Sequence, residues 1–319
     1  MKSLMSRKII VGAAQLGPIG RDDSRRVVVG RLIELMREAK ARGCDLVVYP
    51  ELALTTFFPR WYFEGQDDVD AWFEREMPGP DTQALFDEAR RLSIGFYIGY
   101  AELAEQGGQV HHYNTSILVG KSGDLIGKYR KIHLPGHTEN EPWRPFQHLE
   151  KRYFERGDMG FPAFQAKFNA HQGIFGMALC NDRRWPETYR VLGLQGVEMA
   201  LIGYNTPLHY AQVPEHDHLQ AFHNHLSLQA GAYQNGMWVV GVAKAGMEEG
   251  CDLLGQSCIV APTGEIVTMC STVEDELITE SCNLDRCREI KENVFNFELH
   301  REPDTYRLIV ETKGAIKPL

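Results

Sequence analysis

Three polar residues each stand where an apolar strand pattern stops: Glu51 after DLVVYP, Lys131 after LIGKYR and Cys180 after GIFGMAL. A thiol, a carboxylate and an ammonium are the parts of nucleophilic attack on a carbonyl-type carbon. The thiol attacks, the carboxylate takes its proton, and the ammonium holds the charge that develops on oxygen. Each residue alone has a plainer reading: Glu51 as a surface strand-end glutamate, Lys131 as a solvated lysine of the run KYRK, Cys180 as a buried core thiol. Burial of Glu51 against Phe57, Phe58 and Trp61 would raise its pKa by desolvation and suit it to proton transfer near neutrality. Cys180 precedes NDRRWPE and a helix opened by Pro186. The helix dipole, with Arg183 and Arg184, is therefore expected to depress the thiol pKa. The backbone N–H of Asn181 is in position to be a second oxyanion donor.

These residues need a frame that brings strand ends to one rim. IIVGAAQL, DLVVYPE, GFYIGYAEL, YNTSILVG and LIGKYRK read as strands, with helices after the first and second of them. After an irregular segment the order repeats: GIFGMALC, a helix from Pro186, EMALIG, a helix over about Asp217 to Gln234, MWVVGVAKA, SCIVAP and EIVTMC. NTSILVGKSGDLIG in one half matches GQSCIVAPTGEIVT in the other. The chain thus reads as one α/β domain over 1–319, with halves of about 8–130 and 172–285 and a C-terminal extension over 286–319. Two sheets packed face to face, each covered by helices, bury such strands on both faces. Two separate doubly wound domains are the alternative. The crevice beyond the carboxyl ends of strands is where such sheets bind ligands.

Composition narrows the partners. The 319 residues carry a net charge of -9, with 43% hydrophobic and 24% charged residues, so a sizeable core is available and nucleic acid is a poor fit. No apolar stretch reaches the roughly 18 residues of a membrane span, and the N-terminus lacks a signal-peptide core, so a cytoplasmic location is expected. Seven cysteines without a CxxC pair give neither a disulfide framework nor a cysteine zinc site. No glycine-rich phosphate cradle follows a strand, which leaves nucleotide cofactors unsupported. Among the twelve histidines, His133 and His137 are separated by Pro135 and Gly136, which exclude a helical zinc motif. His216, His218, His223 and His225 flank a helix, where a metal competes with surface or subunit-contact roles.

Taken together, PELAL, GKYRKIHLPGH and LCNDRRWPE resemble the nitrilase superfamily of carbon–nitrogen hydrolases. FFPRWYF, NTSILV, RPFQHLEKRYFE, GYNTP, YQNG and SCIVAPTGEI look like its N-carbamoyl-D-amino-acid amidohydrolase branch. The resemblance implies a four-layer α-β-β-α sandwich of two mixed sheets with an internal two-fold pseudo-repeat. It carries a catalytic triad to Glu51, Lys131 and Cys180, a second glutamate to Glu150, and pocket histidines to His133 and His148. It also implies a homodimer or homotetramer, and a reaction that needs no metal or other cofactor. The expected substrate is an N-carbamoyl-D-amino acid, split to D-amino acid, ammonia and carbon dioxide through an S-carbamoyl enzyme. Its carboxylate needs a cation, for which Arg183 and Arg184 are candidates; the alternative is that one of them pairs with Asp182 or Glu187. Asn205 and Thr206 are candidates for polar contacts with substrate. The rivals are a β-ureidopropionase, an aliphatic amidase, a nitrilase, and a non-catalytic binding protein of the same fold.

Overall fold

Runs of apolar residues at consecutive positions make strands that must be covered on both sides. The computed structural model, which describes residues 6–144 and 146–317, covers them in four layers. The N-terminal five residues, on which the export reading partly rests, lie outside the described residues, as do the last two of the C-terminal extension. The first half supplies β1 (Lys8–Gln15), β2 (Leu46–Val48), β3 (Gly95–Gln106), β4 (Gln109–Val119) and β5 (Leu125–Arg130). Then follow β6 (Ala163–Lys167), β7 (Gln172–Leu179), β8 (Met199–Tyr204) and β9 (Trp238–Ala243). The chain closes its sheets with β10 (Ala245–Glu248), β11 (Cys251–Leu254), β12 (Cys258–Val260), β13 (Ile266–Met269) and β14 (Glu276–Asn283).

One six-stranded sheet has the order β14-β1-β2-β3-β4-β5 and the other β13-β12-β9-β8-β7-β6; β10 and β11 form a separate hairpin. Strands β1, β2 and β3 run parallel, as do β7, β8 and β9, and the outer strands are antiparallel, so both sheets are mixed. The sixth strand of each sheet completes it from elsewhere in the chain: β6 lies between the two halves and pairs with β7, and β14 ends the second half yet pairs with β1. Neither β6 nor β14 was expected. Both are edge strands with polar, partly exposed residues, and that composition hides the apolar signal. The segment FQAKFNAHQG spans the end of β6, the β6–β7 turn and the start of β7.

The two sheets meet through Ile9, Val11, Leu46, Val48, Tyr97 and Leu118 on one side and Phe175, Met177, Leu179, Met199, Leu201 and Trp238 on the other. Outside the first sheet lie α1 (Arg25–Ala41) and α2 (Gln83–Leu92). Helix α1 starts at Ser24, whose hydroxyl accepts from the Val27 N–H, and buries Val28, Leu32, Leu35, Met36 and Ala39 at helical spacing. Outside the second sheet lie α3 (Pro186–Leu194) and α4 (Gln220–Asn235), which pack Tyr189, Leu192, Leu228 and Ala232 onto Ala200, Ile202 and Val239. Helix α4 begins later than its sequence implies. Asp217 accepts from the Tyr210 N–H and pairs with His209, so it anchors a loop, and a 3-10 turn over Pro214–Leu219 precedes the helix. No helix among the described residues is long and apolar enough to cross a membrane.

Candidate active site

The strand ends of both sheets converge. β2 runs into Glu51, whose backbone threads between Gly99 of β3 and Gly203 of β8. A Cβ at Gly99 would lie 2.7 Å from the Glu51 Cα, and one at Gly203 would press into the Glu51 backbone nitrogen. Only residues without a side chain admit the segment here. Leu52, the next residue, has a left-handed φ of 46°. The Glu51 carboxylate is buried, yet it meets polar groups rather than aromatic rings. It accepts from Lys131 Nζ at 2.7 Å, Asn114 Nδ2 at 2.8 Å and the Asn205 backbone N–H at 3.1 Å. Phe57 and Phe58 instead pack with Leu52, Phe73 and Phe154, with Trp61 against them.

Lys131 follows β5 and is fixed by its own N–H, which donates to the Asn114 carbonyl at 2.8 Å. Its ammonium, wholly buried, also touches Glu150 Oε2 at 2.5 Å. Glu150 opens the single helical turn Glu150–Tyr153, and its other oxygen lies 2.9 Å from His148 Nε2. Burial opposes charge at both residues, but the charges of Cys180, Glu150 and Glu51 hold the lysine well above its ordinary pKa. Lys131 and His148 likewise hold the Glu150 carboxyl below its usual range.

Cys180 follows β7 with a φ of 46°, a conformation that side chains other than glycine seldom adopt. Its thiol lies 3.5 Å from the Asn205 carbonyl, and Glu51, Glu150 and Cys180 bring a ligand atom each to within 4.8 Å of one another. The expected depression of the thiol pKa does not occur. Burial, then the charge of Glu51, pushes it up to about 11, and the opposing charges of Lys131 and Arg183 do not overcome this. The residues after it form a short 3-10 helix over Cys180–Arg184, and the α-helix begins only at Pro186. A thiol in this state is protonated at neutral pH, so attack requires a neighbouring base. The Asn181 N–H, in the first turn of that 3-10 helix, has no intrahelical acceptor.

Asp182 is a buried hub that sequence reasoning missed as a positioning group. It accepts from Tyr129 Oη at 2.7 Å, the His133 N–H at 2.9 Å and the Leu179 N–H at 3.1 Å, and meets His133 Nδ1 at 2.8 Å. It therefore ties the strand end before Cys180 to the segment after Lys131. His133 stacks between Phe161 and Trp185 and does not line the pocket, so it supports the Asp182 tie rather than a ligand. Asn181 Nδ2 donates to the His133 carbonyl at 3.1 Å.

The paired-arginine clamp is also corrected. Arg183 is buried and held by protein groups: it donates to Asn224 Oδ1 at 2.9 Å, the Cys180 carbonyl at 2.6 Å and Thr206 Oγ1 at 2.7 Å, and lies over Tyr204. Neither arginine pairs with Asp182 or Glu187. Arg184 is exposed at the pocket wall and has no hydrogen-bond or ionic partner among the described residues; the surrounding wall and the charge of Arg183 lower its pKa. Both line a cavity of about 190 Å³ that ends on Cys180. The wall also includes His148, Asn181, Asn205, Thr206, Tyr210, Gln212, His216 and His223, and no Asp or Glu. His216 and His223 thus belong to the pocket wall, with ring centroids 6.1 Å apart. Among the described residues the only close grouping of three potential metal ligands is Glu51, Glu150 and Cys180, and the Lys131 ammonium already sits on both carboxylates.

A buried thiol, a carboxylate beside it and an ammonium bridging two carboxylates, at the end of a pocket, can carry out covalent hydrolysis of a carbon–nitrogen bond. Comparisons with known proteins agree. The carbon-nitrogen hydrolase family model matches residues 10–292. A nitrilase from Pyrococcus abyssi is 32% identical over 276 residues, covering 86% of this chain and 91% of its own. An N-carbamoylputrescine amidase from Arabidopsis thaliana is 27% identical over 322 residues, covering 97% and 98%. A carbon-nitrogen hydrolase of Helicobacter pylori G27 shares the fold, with a TM-score of 0.81 at 22% identity over 96% of this chain and 99% of that one. The chain belongs to the carbon-nitrogen hydrolase family, in the nitrilase superfamily of enzymes that cleave carbon–nitrogen bonds.

Proposed function

We propose that the protein hydrolyses N-carbamoyl-D-amino acids to the D-amino acid, ammonia and carbon dioxide. The observation that carries the substrate class is Arg184, a guanidinium without a partner among the described residues, in a pocket whose lining residues include no Asp or Glu outside the catalytic end. Such a pocket attracts a substrate carboxylate and repels the free amine of N-carbamoylputrescine. Asn205 adds a buried side-chain oxygen without a partner among the described residues, an acceptor suited to a ureido N–H. Thr206 and Gln212 add further polar contacts. The D configuration follows the likeness of FFPRWYF, RPFQHLEKRYFE and GYNTP to that branch.

In the reaction, Glu51 takes the Cys180 proton as the sulfur attacks the carbamoyl carbon. Lys131 and the Asn181 N–H stabilise the oxyanion. Glu51 returns the proton to the leaving amine, then activates water to release carbamate, which decomposes to ammonia and carbon dioxide. Glu150, steadied by His148, keeps Lys131 oriented. The thiol chemistry suits a reducing compartment such as the cytoplasm. Exposed Val191 and Leu194 of α3, with Phe222 and Leu226 of α4, support association into homodimers or homotetramers through this helical face.

The test is ammonia release from N-carbamoyl-D- and L-alanine, N-carbamoylputrescine and propionitrile. Turnover of the D-carbamoyl acid above the others is expected. Preference for the putrescine derivative or the nitrile overturns the substrate assignment. Arg184→Met should raise KM for the carbamoyl acid by about tenfold to a hundredfold, the worth of one charge-assisted contact.

A further inference from the structure

Beside the catalytic groups lies a second buried ionic cluster that the reaction as described does not use. Arg60, Lys244 and Glu248 are each at most 4% exposed. Glu248 accepts from Arg60 Nη1 at 3.0 Å, from the Phe57 N–H at 2.8 Å and from the Ile19 N–H at 3.1 Å, and pairs with Lys244 at 3.1 Å. Lys244 also donates to the Thr55 carbonyl at 2.8 Å, and the Arg60 guanidinium to the Glu248 carbonyl at 3.1 Å. The cluster therefore pins residues 55–60, which follow Glu51, onto β10. That segment in turn carries the catalytic arm. The Leu149 N–H donates to the Pro59 carbonyl at 2.8 Å and the Gln147 N–H to the Arg60 carbonyl at 3.2 Å, while Phe57 packs edge-on against His148.

Charge counting gives the cluster a second role. Two cations and one anion leave it one positive charge in excess. The catalytic group of Glu51, Glu150 and Lys131, with its thiol protonated, is one negative charge in excess. Both groups are buried, where charges interact strongly. The charged groups facing Lys244 are Glu248 at the end of β10, Arg60 from the 3-10 turn Phe58–Arg60 and Glu51 beyond the end of β2. Burial lowers Lys244 to about 8, with Glu248 opposing, so the lysine is charged at neutral pH.

We propose that Arg60, Lys244 and Glu248 are positioning residues, a buried counter-charge that holds the Glu51 loop and the Glu150–His148 arm and balances the negative charge of the catalytic carboxylates. The cluster does not touch substrate; it acts through Glu51 and Glu150. A small displacement of such an arm is enough to lower kcat by about tenfold to a hundredfold.

The experiment measures kcat, KM and the pH profile of kcat/KM for Lys244→Met and Glu248→Gln, with N-carbamoyl-D-alanine, or propionamide should the carbamoyl acid not be turned over. Both variants should lose kcat about tenfold or more, with KM changed less than threefold. The acid limb of the profile should move in opposite directions, by about one pH unit. It moves up when the positive Lys244 is removed, because the carboxylates then protonate more readily, and down when the negative Glu248 is removed. A cluster that merely packs would move both limbs alike or neither. Limbs that stay in place, or move together, overturn the proposal, as does wild-type kcat in both variants. If one variant fails to fold, the direction of the other decides; failure of both to fold makes the cluster a folding element and overturns it equally. The inference rests on the proposed role of Glu51, and Cys180→Ala assayed in parallel separates the two. Turnover by that variant sinks the catalytic reading, whereas an inactive Cys180→Ala with unmoved acid limbs sinks this inference alone.

Discussion

The two halves of the duplicated frame end matching strands in different chemistry. β1 and β7 are both eight residues long, but β1 runs into buried Leu16 and β7 into Cys180 at the end of the pocket. β5 runs into Lys131, and β13, the outer strand of the equivalent hairpin, into Cys270. The second half therefore places two cysteines, Cys180 and Cys270, at strand ends of its sheet, and the two thiols behave differently. Burial raises Cys270 to about 12, with the charge of Glu276 adding to it. Burial and Glu51 raise Cys180 as well, but Lys131 and Arg183 work against it, and the Glu51 carboxylate lies close by. Duplication supplies the frame twice. The site exists once, because it combines Glu51 and Lys131 from the first half with Cys180 from the second, whereas the matching ends of β1 and β13 carry Leu16 and Cys270.

The largest expected effect separates these two thiols directly. Cys180→Ala should reduce ammonia release by at least about a thousandfold while leaving the fold intact. Cys270→Ala should keep kcat within about twofold and cost roughly 1 kcal/mol of stability for the lost core volume. Equal loss in both variants, measured by steady-state kinetics beside denaturant melts, would remove the distinction.

Next comes the cation that makes the first half different. Lys131→Met leaves Glu51 and Glu150 buried together without their ammonium, which should reduce unfolding free energy by about 3–5 kcal/mol in urea titrations at pH 7. The pH dependence should reverse as well. In the wild type the Glu150 carboxyl, held below its ordinary 4.5, stabilises the fold above that pH and loses the contribution as pH falls through its folded value. In the variant the paired carboxylates favour protonation, so acidification should stabilise it between pH 7 and 5. A variant as stable as wild type at pH 7 would show that the bridge adds nothing.

A smaller effect tests how the halves interlock. Gly203→Ala, in the second half, adds a methyl against the Glu51 backbone of the first half. We expect kcat to fall about a hundredfold, since an ångström-scale displacement of a catalytic base is that costly. Unchanged kcat would mean that the Glu51 segment moves aside freely. The mildest measurement is the pH dependence of Cys180 carbamidomethylation, located by mass spectrometry. With the thiol raised to about 11, the rate should climb about tenfold per pH unit from 7 toward 11. A plateau already at pH 7 would reveal a resting thiolate and leave Glu51 no thiol proton to remove.

Much of this was readable from pattern alone, for definite reasons. Apolar runs such as LVV and MALIG had to be interior strands, and Pro186 marks a helix start through backbone chemistry that is local. The repeated order of elements specified two sheets with helices outside them, and residue type at strand ends singled out Glu51, Lys131 and Cys180. The polar edge strands β6 and β14 escaped because their pairing partners, not their own composition, make them strands.

What tertiary structure alone decided is the state of each charged group. Arg183 and Arg184 are neighbours of identical type, yet Asn224 and Thr206, 41 and 23 residues away from Arg183, hold one, while the other has no partner among the described residues. The raised thiol of Cys180, the Asp182 tie and the counter-charge of Lys244 likewise depend on burial and on partners brought together by folding. Local residue type determines where a chain makes strands, helices and reactive ends. Electrostatics in a low-dielectric interior depends on distances between remote residues, and only the folded chain sets those.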